Sequence, residues 1–228
     1  MNKKKIVFLV SGGGGTLKFI FFAIEKLQLP IQIVGIIADR VTNLEKFANK
    51  NNIYYNQVAY KRSEPKELQN ELNQLKPDVI ITNIHKIIDS DTLNMFPSKF
   101  INLHYSLLPS FAGFIGMETV EKAKEQNVGF IGGTCHEVNE IVDAGKIIHQ
   151  GCFAVDWNND KEIIDTVFKT SCLAILGGIC TKIEIKKEGT ERVIINDKEI
   201  IFSPRLPVSN LDFEENFWVK LKKEHDTI

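Results

Sequence analysis

The stretch Ile6-Val7-Phe8-Leu9-Val10-Ser11-Gly12-Gly13-Gly14-Gly15-Thr16 decides the fold class of this chain. Five consecutive apolar residues suit a strand buried on both faces, and the glycines break it. A helical pattern, Leu17–Leu27, comes next and Pro30 stops it, after which Ile31–Ala38 is apolar again. Strand, glycine turn, helix, strand is a βαβ unit. The alternation continues with a helix over Asn43–Asn51, a short strand Tyr54–Val58 and a helix over Glu64–Leu75, whose Leu68, Leu72 and Leu75 share one stripe. Pro77 introduces the strand Asp78–Thr82, and Ser90–Met95 reads as a helix before the strand Phe100–Leu103. After the loop Tyr105–Gly116, a helix (Thr119–Gln126), two strands (Gly132–Val138 and Lys146–Phe153) and a long helix (Asp160–Thr181) follow. Within that helix Gly177 and Gly178 each cost about 1 kcal/mol relative to alanine.

Beyond residue 181 the pattern changes. Ile183–Lys187, Arg192–Ile195 and Lys198–Phe202, separated by Gly189 and by Asn196–Asp197, read as a short antiparallel meander. A tail rich in proline and aromatics ends the chain. The expected architecture is α/β: a Rossmann-like, mostly parallel sheet with helices on both faces over residues 1–181, and a small β appendage with an aromatic tail over 182–228.

Composition removes several function classes. With 28 Lys+Arg against 29 Asp+Glu the chain lacks the basic excess of a nucleic-acid binder. No apolar run approaches the roughly 18–20 residues that cross a bilayer. The basic start and short apolar run of MNKKKIVFLVSGGGG end in four glycines instead of a small-residue cleavage site, so they read as a buried strand and not a secretory signal. Cys135, Cys152, Cys172 and Cys180 form no CxxC pair, which fits a reduced, cytoplasmic setting with the cysteines as small buried hydrophobes. Neither a membrane nor a nucleic acid is an expected partner.

Three constellations carry chemistry. Gly12, Gly13, Gly14, Gly15 and Thr16 sit where a strand meets a helix N-terminus, so they make either a tight turn or a site for a phosphate or carboxylate. Neither a P-loop Gly-Lys-Ser/Thr nor a third dinucleotide-binding glycine follows. In Phe100-Ile-Asn102-Leu-His104-Tyr-Ser106-Leu-Leu-Pro109, strand alternation puts Asn102 and His104 on one face at the strand's end. That is where open α/β sheets bind ligands, and an amide with an imidazole suits a developing oxyanion. The third is Gly133-Thr134-Cys135-His136-Glu137-Val138, then Asp143-Ala144-Gly145-Lys146-Ile147-Ile148. Taken singly, His136 fits a core histidine and Asp143 an ordinary turn.

Together these motifs resemble the formyltetrahydrofolate-dependent formyltransferase family, which has the fold of glycinamide ribonucleotide transformylase. Asn102, His104 and Ser106-Leu107-Leu108-Pro109, the Gly-x-Thr-x-His-x-Val strand through Thr134 and His136, and Asp143 seven residues beyond that histidine all match. Pro77-Asp78-Val79-Ile80-Ile81 matches the family strand before the folate loop, and the likeness covers roughly residues 5–180. The resemblance implies Asn102, His104 and Asp143 as catalytic residues and N10-formyltetrahydrofolate as co-substrate, without a metal. An amine attacks the formyl carbon, His104 and Asn102 donate to the oxyanion, and Asp143 supports the imidazolium and relays the amine's proton. Folate would lie against Ile84, Lys86, Ile87, Ile88, Val138, Asn139, Val142 and Asp143. The amine substrate would meet Gly12–Thr16, Tyr105, Ser106, His136 and Arg205.

Departures from the family pattern bear on which amine is used. Tyr105 stands where ribonucleotide transformylases usually have proline, and Phe111-Ala112-Gly113-Phe114-Ile115-Gly116-Met117 lacks the histidines of their substrate loop. Losing those polar groups argues against glycinamide ribonucleotide. The expected substrate is therefore a nucleotide-linked amino sugar of surface polysaccharide synthesis, with phosphoribosylglycinamide as runner-up and a catalytically idle nucleotide-binding module as the reading of another class. Arg205 would pair a diphosphate; Phe213, Phe217 and Trp218 would stack on a base, close a dimer or pack the appendage. The tail from Arg205 onward has four basic and five acidic residues, unlike a tRNA-binding extension, and the first strand near Ile6 leaves no room for a deformylase regulatory domain. A homodimer is expected to cover the edge of the terminal strands.

Overall fold

The computed structural model describes residues 3–158, 162–185, 189–208, 213 and 215–226, the last four by their backbone alone. In chain order its first elements are β1 (Lys4–Val10), α1 (Gly15–Lys26), β2 (Ile31–Ala38), α2 (Leu44–Lys50), β3 (Tyr54–Gln57), α3 (Lys66–Leu75), β4 (Val79–Asn83) and α4 (Ser90–Met95). Next come β5 (Phe100–His104), α5 (Glu118–Glu125), β6 (Phe130–Glu137), β7 (Ile147–Ala154) and α6 (Ile163–Lys182). β8 (Thr190–Ile195), β9 (Lys198–Leu206) and α7 (Glu215–Asp226) complete it. The chain packs as two compact units, Met1–Phe100 with Asp212–Ile228, and Ile101–Leu211.

In the first unit four parallel strands run in the order β3-β2-β1-β4. Ile6 through Leu9 of β1 are fully buried, as a strand covered on both faces requires. α1 starts without a side-chain cap: its N-cap is Gly14 at φ 68, and a Cβ there would strike the Leu44 side chain. Leu68 and Leu72 bury the expected stripe of α3, while Leu75 closes over Gly35.

α7 forms within the aromatic tail. Phe217, Trp218 and Leu221 recur at i, i+1 and i+4, the spacing of one helix face. Phe213, Phe217 and Trp218 surround Phe19 of α1 with ring centroids 5.4–5.8 Å away, Trp218 stacked on it, and Lys220 lies 4.3 Å over Phe22. These aromatics are therefore packing residues of the first unit, one of the alternatives open from sequence.

In the second unit five strands run in the order β5-β6-β7-β9-β8, and each adjacent pair is antiparallel. The antiparallel part is thus larger than a terminal meander. The expected strand Ile183–Lys187 is not formed by its described residues. Ile183 and Ile185 instead close the C-terminus of α6 by bonding to Ile179 and Cys180 carbonyls, and 186–187 lie outside the described residues. Asn196 and Asp197 both take positive φ in the β8–β9 turn.

Among the described residues α6 is long and apolar enough by length and composition to cross a membrane, but 72% of that apolar stretch is buried inside the protein. Its apolar surface is all-round because it lies on β6 and β7. A Cβ on Gly178 would run into Cys135, and one on Gly177 would come within 2.6 Å of the His149 ring. The two glycines are therefore notches that let the helix sit against the sheet. All four cysteines are free, three of them buried and Cys152 half-buried.

His149 is fully buried beside that notch, 5.8 Å from the Phe202 ring, and neither ring nitrogen has a hydrogen-bond partner. Burial pushes its pKa down to about 4. An unfolded histidine titrates near 6.5, so on acidification through that value the unfolded chain takes a proton that the folded chain refuses until about pH 4. Stability is thus fully present above pH 6.5 and falls between there and 4, by about 2 kcal/mol from pH 7 to pH 5 through this residue. Urea unfolding at the two pH values should show that loss in the wild type and less of it in His149→Asn. Equal losses in both would remove His149 as the cause.

Candidate active site

The second unit assembles one polar cluster at the ends of β5 and β6. Antiparallel pairing sets Asn102 opposite His136 and His104 opposite Thr134. Both histidines are buried, His104 at 5% and His136 at 2% exposure. Asp143 comes from the loop between β6 and β7, in the left-handed region at φ 55, and its side chain is 9% exposed. One carboxylate oxygen lies 3.5 Å from His104 Nδ1 and the other 3.6 Å from His136 Nε2. The loop reaches back because Gly145 has no Cβ: any side chain there would collide with the Glu137 carbonyl. The closing bond runs from the Glu137 N–H to the Lys146 carbonyl at 2.9 Å.

Hydrogen-bond chemistry fixes the tautomers. The Glu137 carbonyl can only accept, so His136 Nδ1–H donates to it at 2.8 Å. Burial lowers the pKa of His136, with the nearby His104 adding to that direction and Asp143 opposing it. In the neutral ring Nε2 carries a lone pair, and the Asn102 Nδ2 amide donates to it at 3.3 Å. One amide hydrogen of Asn102 is thereby used and the second is left for another acceptor. His104 Nε2–H donates to the Phe111 carbonyl at 2.9 Å while Nδ1 faces Asp143. Both ring nitrogens of His104 thus face acceptors, which a doubly protonated ring satisfies and a neutral ring satisfies on one side only. The same Asp143 oxygen accepts the Gly113 N–H at 2.8 Å.

Asn102, His104, His136 and Asp143 are therefore brought together as the sequence suggests. Ser106 is buried, and its hydroxyl donates to the Ser110 carbonyl inside the loop. Tyr105 is half-buried, and its carbonyl accepts the Thr119 hydroxyl. Val138 is half-buried, whereas Asn139 and Val142 are exposed on the turn before Asp143. Arg205 is exposed and ion-paired with Glu191 at 3.1 Å across β8 and β9. In the first unit, Gly12 and Gly13 are exposed, Gly14 and Thr16 buried and Gly15 half-buried. Ile84 is half-buried, Lys86 and Ile87 exposed and Ile88 buried. The loop holding Ile84–Ile88 is pinned from within its unit: Ser11 Oγ accepts the His85 N–H at 2.7 Å, and Tyr60 OH donates to Asp89 at 3.0 Å. Sequence reasoning missed the Phe111 carbonyl and the Gly113 N–H, both backbone groups, and Gln150, whose place depends on strand pairing.

Two imidazoles, an amide and a carboxylate are thus gathered at the ends of β5 and β6, a set of groups of the kind that serves proton transfer and oxyanion stabilisation. The formyl transferase family model matches residues 4–172, and the chain belongs to that family. The formyltetrahydrofolate deformylase of Haemophilus influenzae is 27% identical over 166 residues, 71% of this chain and 58% of that protein. The phosphoribosylglycinamide formyltransferase of the same organism is 30% identical over 154 residues, 64% of this chain and 71% of that protein. The chain thus spans 46–58% of the length of the curated deformylase relatives it matches. Among solved structures, glycinamide ribonucleotide transformylase 1 from Symbiobacterium toebii has the same fold, with a TM-score of 0.72 at 23% identity, covering 88% of this chain and 94% of that one.

Proposed function

We propose that this protein transfers the formyl group of N10-formyltetrahydrofolate to an amine, with Asn102, His104 and Asp143 as the reacting residues. The observation that carries the reading is the convergence of the Asn102 amide, the His104 imidazole and the Asp143 carboxylate in a family built on formyl transfer. Attack on the formyl carbon makes its oxygen an anion. The free amide hydrogen of Asn102 and the Nε2–H of His104 are the donors for it, the latter after the Phe111 carbonyl gives way. The proton leaving the amine passes to Asp143 and ends on N10 of the departing tetrahydrofolate, so the step balances. The folate contacts at Ile84, Lys86, Ile87, Ile88, Val138, Asn139 and Val142, and an anion contact at Gly12–Thr16, belong to the same proposal.

For the acceptor we infer the amine of a nucleotide-linked sugar. The 111–117 segment, which touches His104 and Asp143, offers Phe111, Phe114, Ile115 and Met117 and no polar side chain, which suits a deoxysugar or a base better than a ribose phosphate. A dimer covering the edge of β8 goes with that reading. The deformylase and phosphoribosylglycinamide formyltransferase relatives favour a second one, in which the acceptor is water or glycinamide ribonucleotide. Purified protein given N10-formyltetrahydrofolate with UDP-, dTDP- or CMP-linked amino sugars, glycinamide ribonucleotide, or no amine should release tetrahydrofolate with a sugar nucleotide. Release that is as fast without any amine would make the protein a hydrolase, and release only with the ribonucleotide would replace the sugar.

A further inference from the structure

Behind the turn that carries Phe111 and Gly113 lies a closed circuit of hydrogen bonds. Thr134, fully buried on β6, has a hydroxyl with one donor and two lone pairs. All three are in use: it donates to the Ser106 carbonyl at 2.7 Å and accepts the Leu108 N–H at 3.1 Å and Gln150 Nε2–H at 3.0 Å. Gln150, on β7 in register with Thr134, spends its second amide hydrogen on the Leu108 carbonyl at 3.2 Å. A carbonyl only accepts, so the amide nitrogen and not its oxygen must face this way. Both backbone groups of Leu108 are thus satisfied by side chains of the neighbouring strands instead of by sheet or helix.

Leu108 stands midway between His104 and Phe111, whose carbonyl meets His104 Nε2. Five residues further on, the Gly113 N–H meets Asp143. We propose that Gln150 is a positioning residue of the active site: through Thr134 and Leu108 it fixes the turn that orients His104 and Asp143. The proposal rests on the formyl-transfer reading for its effect on turnover, and on geometry alone for its effect on the imidazole.

Gln150→Met keeps the length and bulk of the side chain but has no donor, leaving the Leu108 carbonyl unpaired. It should remain folded by circular dichroism, lower kcat for tetrahydrofolate release about 10- to 100-fold, and change KM for the formyl donor less than about threefold. Gln150→Glu adds a readout that mere destabilisation does not move. Ionised, its carboxyl accepts only; protonated, it regains one donor. Its kcat relative to wild type should therefore rise about tenfold between pH 8 and pH 5. Independently of turnover, the His104 Nε2–H resonance, protected from exchange in the wild type, should be lost in Gln150→Met. Wild-type kcat in Gln150→Met, a pH-independent ratio for Gln150→Glu, or an unchanged His104 resonance would each overturn the proposal. If the wild type itself released no tetrahydrofolate with any acceptor, the formyl-transfer reading would fall, and the resonance alone would decide the role of Gln150.

Discussion

His104→Ala is expected to lower tetrahydrofolate release by about 10³-fold or more, with the fold preserved. The ring supplies the Nε2–H that donates to the oxyanion. Its removal takes one hydrogen bond from the Phe111 loop, which the Gly113–Asp143 bond and the Thr134–Gln150 circuit still hold. Asp143→Asn should come second, at about 10²-fold, because an amide can orient the His104 and Gly113 groups but neither balances an imidazolium nor takes the amine's proton. The measurement is single-turnover release of tetrahydrofolate at saturating donor, with circular dichroism to show that each variant is folded. Near-wild-type turnover in either variant would remove that residue from the mechanism.

The largest expected effect on stability comes from Gly178→Val. In an ordinary helix interior, replacing glycine usually stabilises, by as much as about 1 kcal/mol for alanine. Here the new Cβ meets the Cys135 side chain, with its Cβ at 2.9 Å and its sulfur nearer still. Gly177 alongside it is closed by His149, so α6 cannot rotate the new side chain into free space. The helix must lift from β6 and β7, which opens the most deeply buried layer of the second unit. Overpacking of this kind ordinarily costs about 1–3 kcal/mol, and a clash with the fully buried Cys135 side chain belongs at or beyond the top of that range. That is a large part of the roughly 5–15 kcal/mol that hold a domain together. The variant should therefore show a much lower urea midpoint or accumulate as aggregate. Cys135→Gly combined with Gly178→Ala should recover stability relative to Gly178→Ala alone, and purely additive effects in that cycle would show that the two sites are not in contact.

Much of the parallel part was legible in the sequence because β1, β2 and β4 are short, largely apolar runs between turn residues. Ile31–Ala38 and Ser90–Met95 fall on the observed limits of β2 and α4. The Asn102–His104 pair was legible for the same local reason, since alternation along a strand is a property of neighbouring residues. α7 had a readable face in Phe217, Trp218 and Leu221, but the tail was read by its proline and aromatic content and not by periodicity. The Ile183–Lys187 strand was misread because a β-branched run looks the same whether it enters a sheet or caps a helix. Gly177 and Gly178 were read as weak points of α6, and in the folded chain they are where it docks.

The order of apolar runs and glycine turns, and the spacing of Asn102, His104, His136 and Asp143, were therefore determined by the sequence itself. They depend on periodicities of 2.0 and 3.6 residues that any local stretch reveals. Tertiary structure alone decided which backbone atoms face the histidines, which tautomer His136 adopts, and that Gln150 stands behind Leu108. The Asn102–His136 and Leu108–Gln150 bonds join residues 34 and 42 positions apart through strand pairing and loop closure, and a hydrogen bond of 3 Å has no signature in the spacing of the residues that make it.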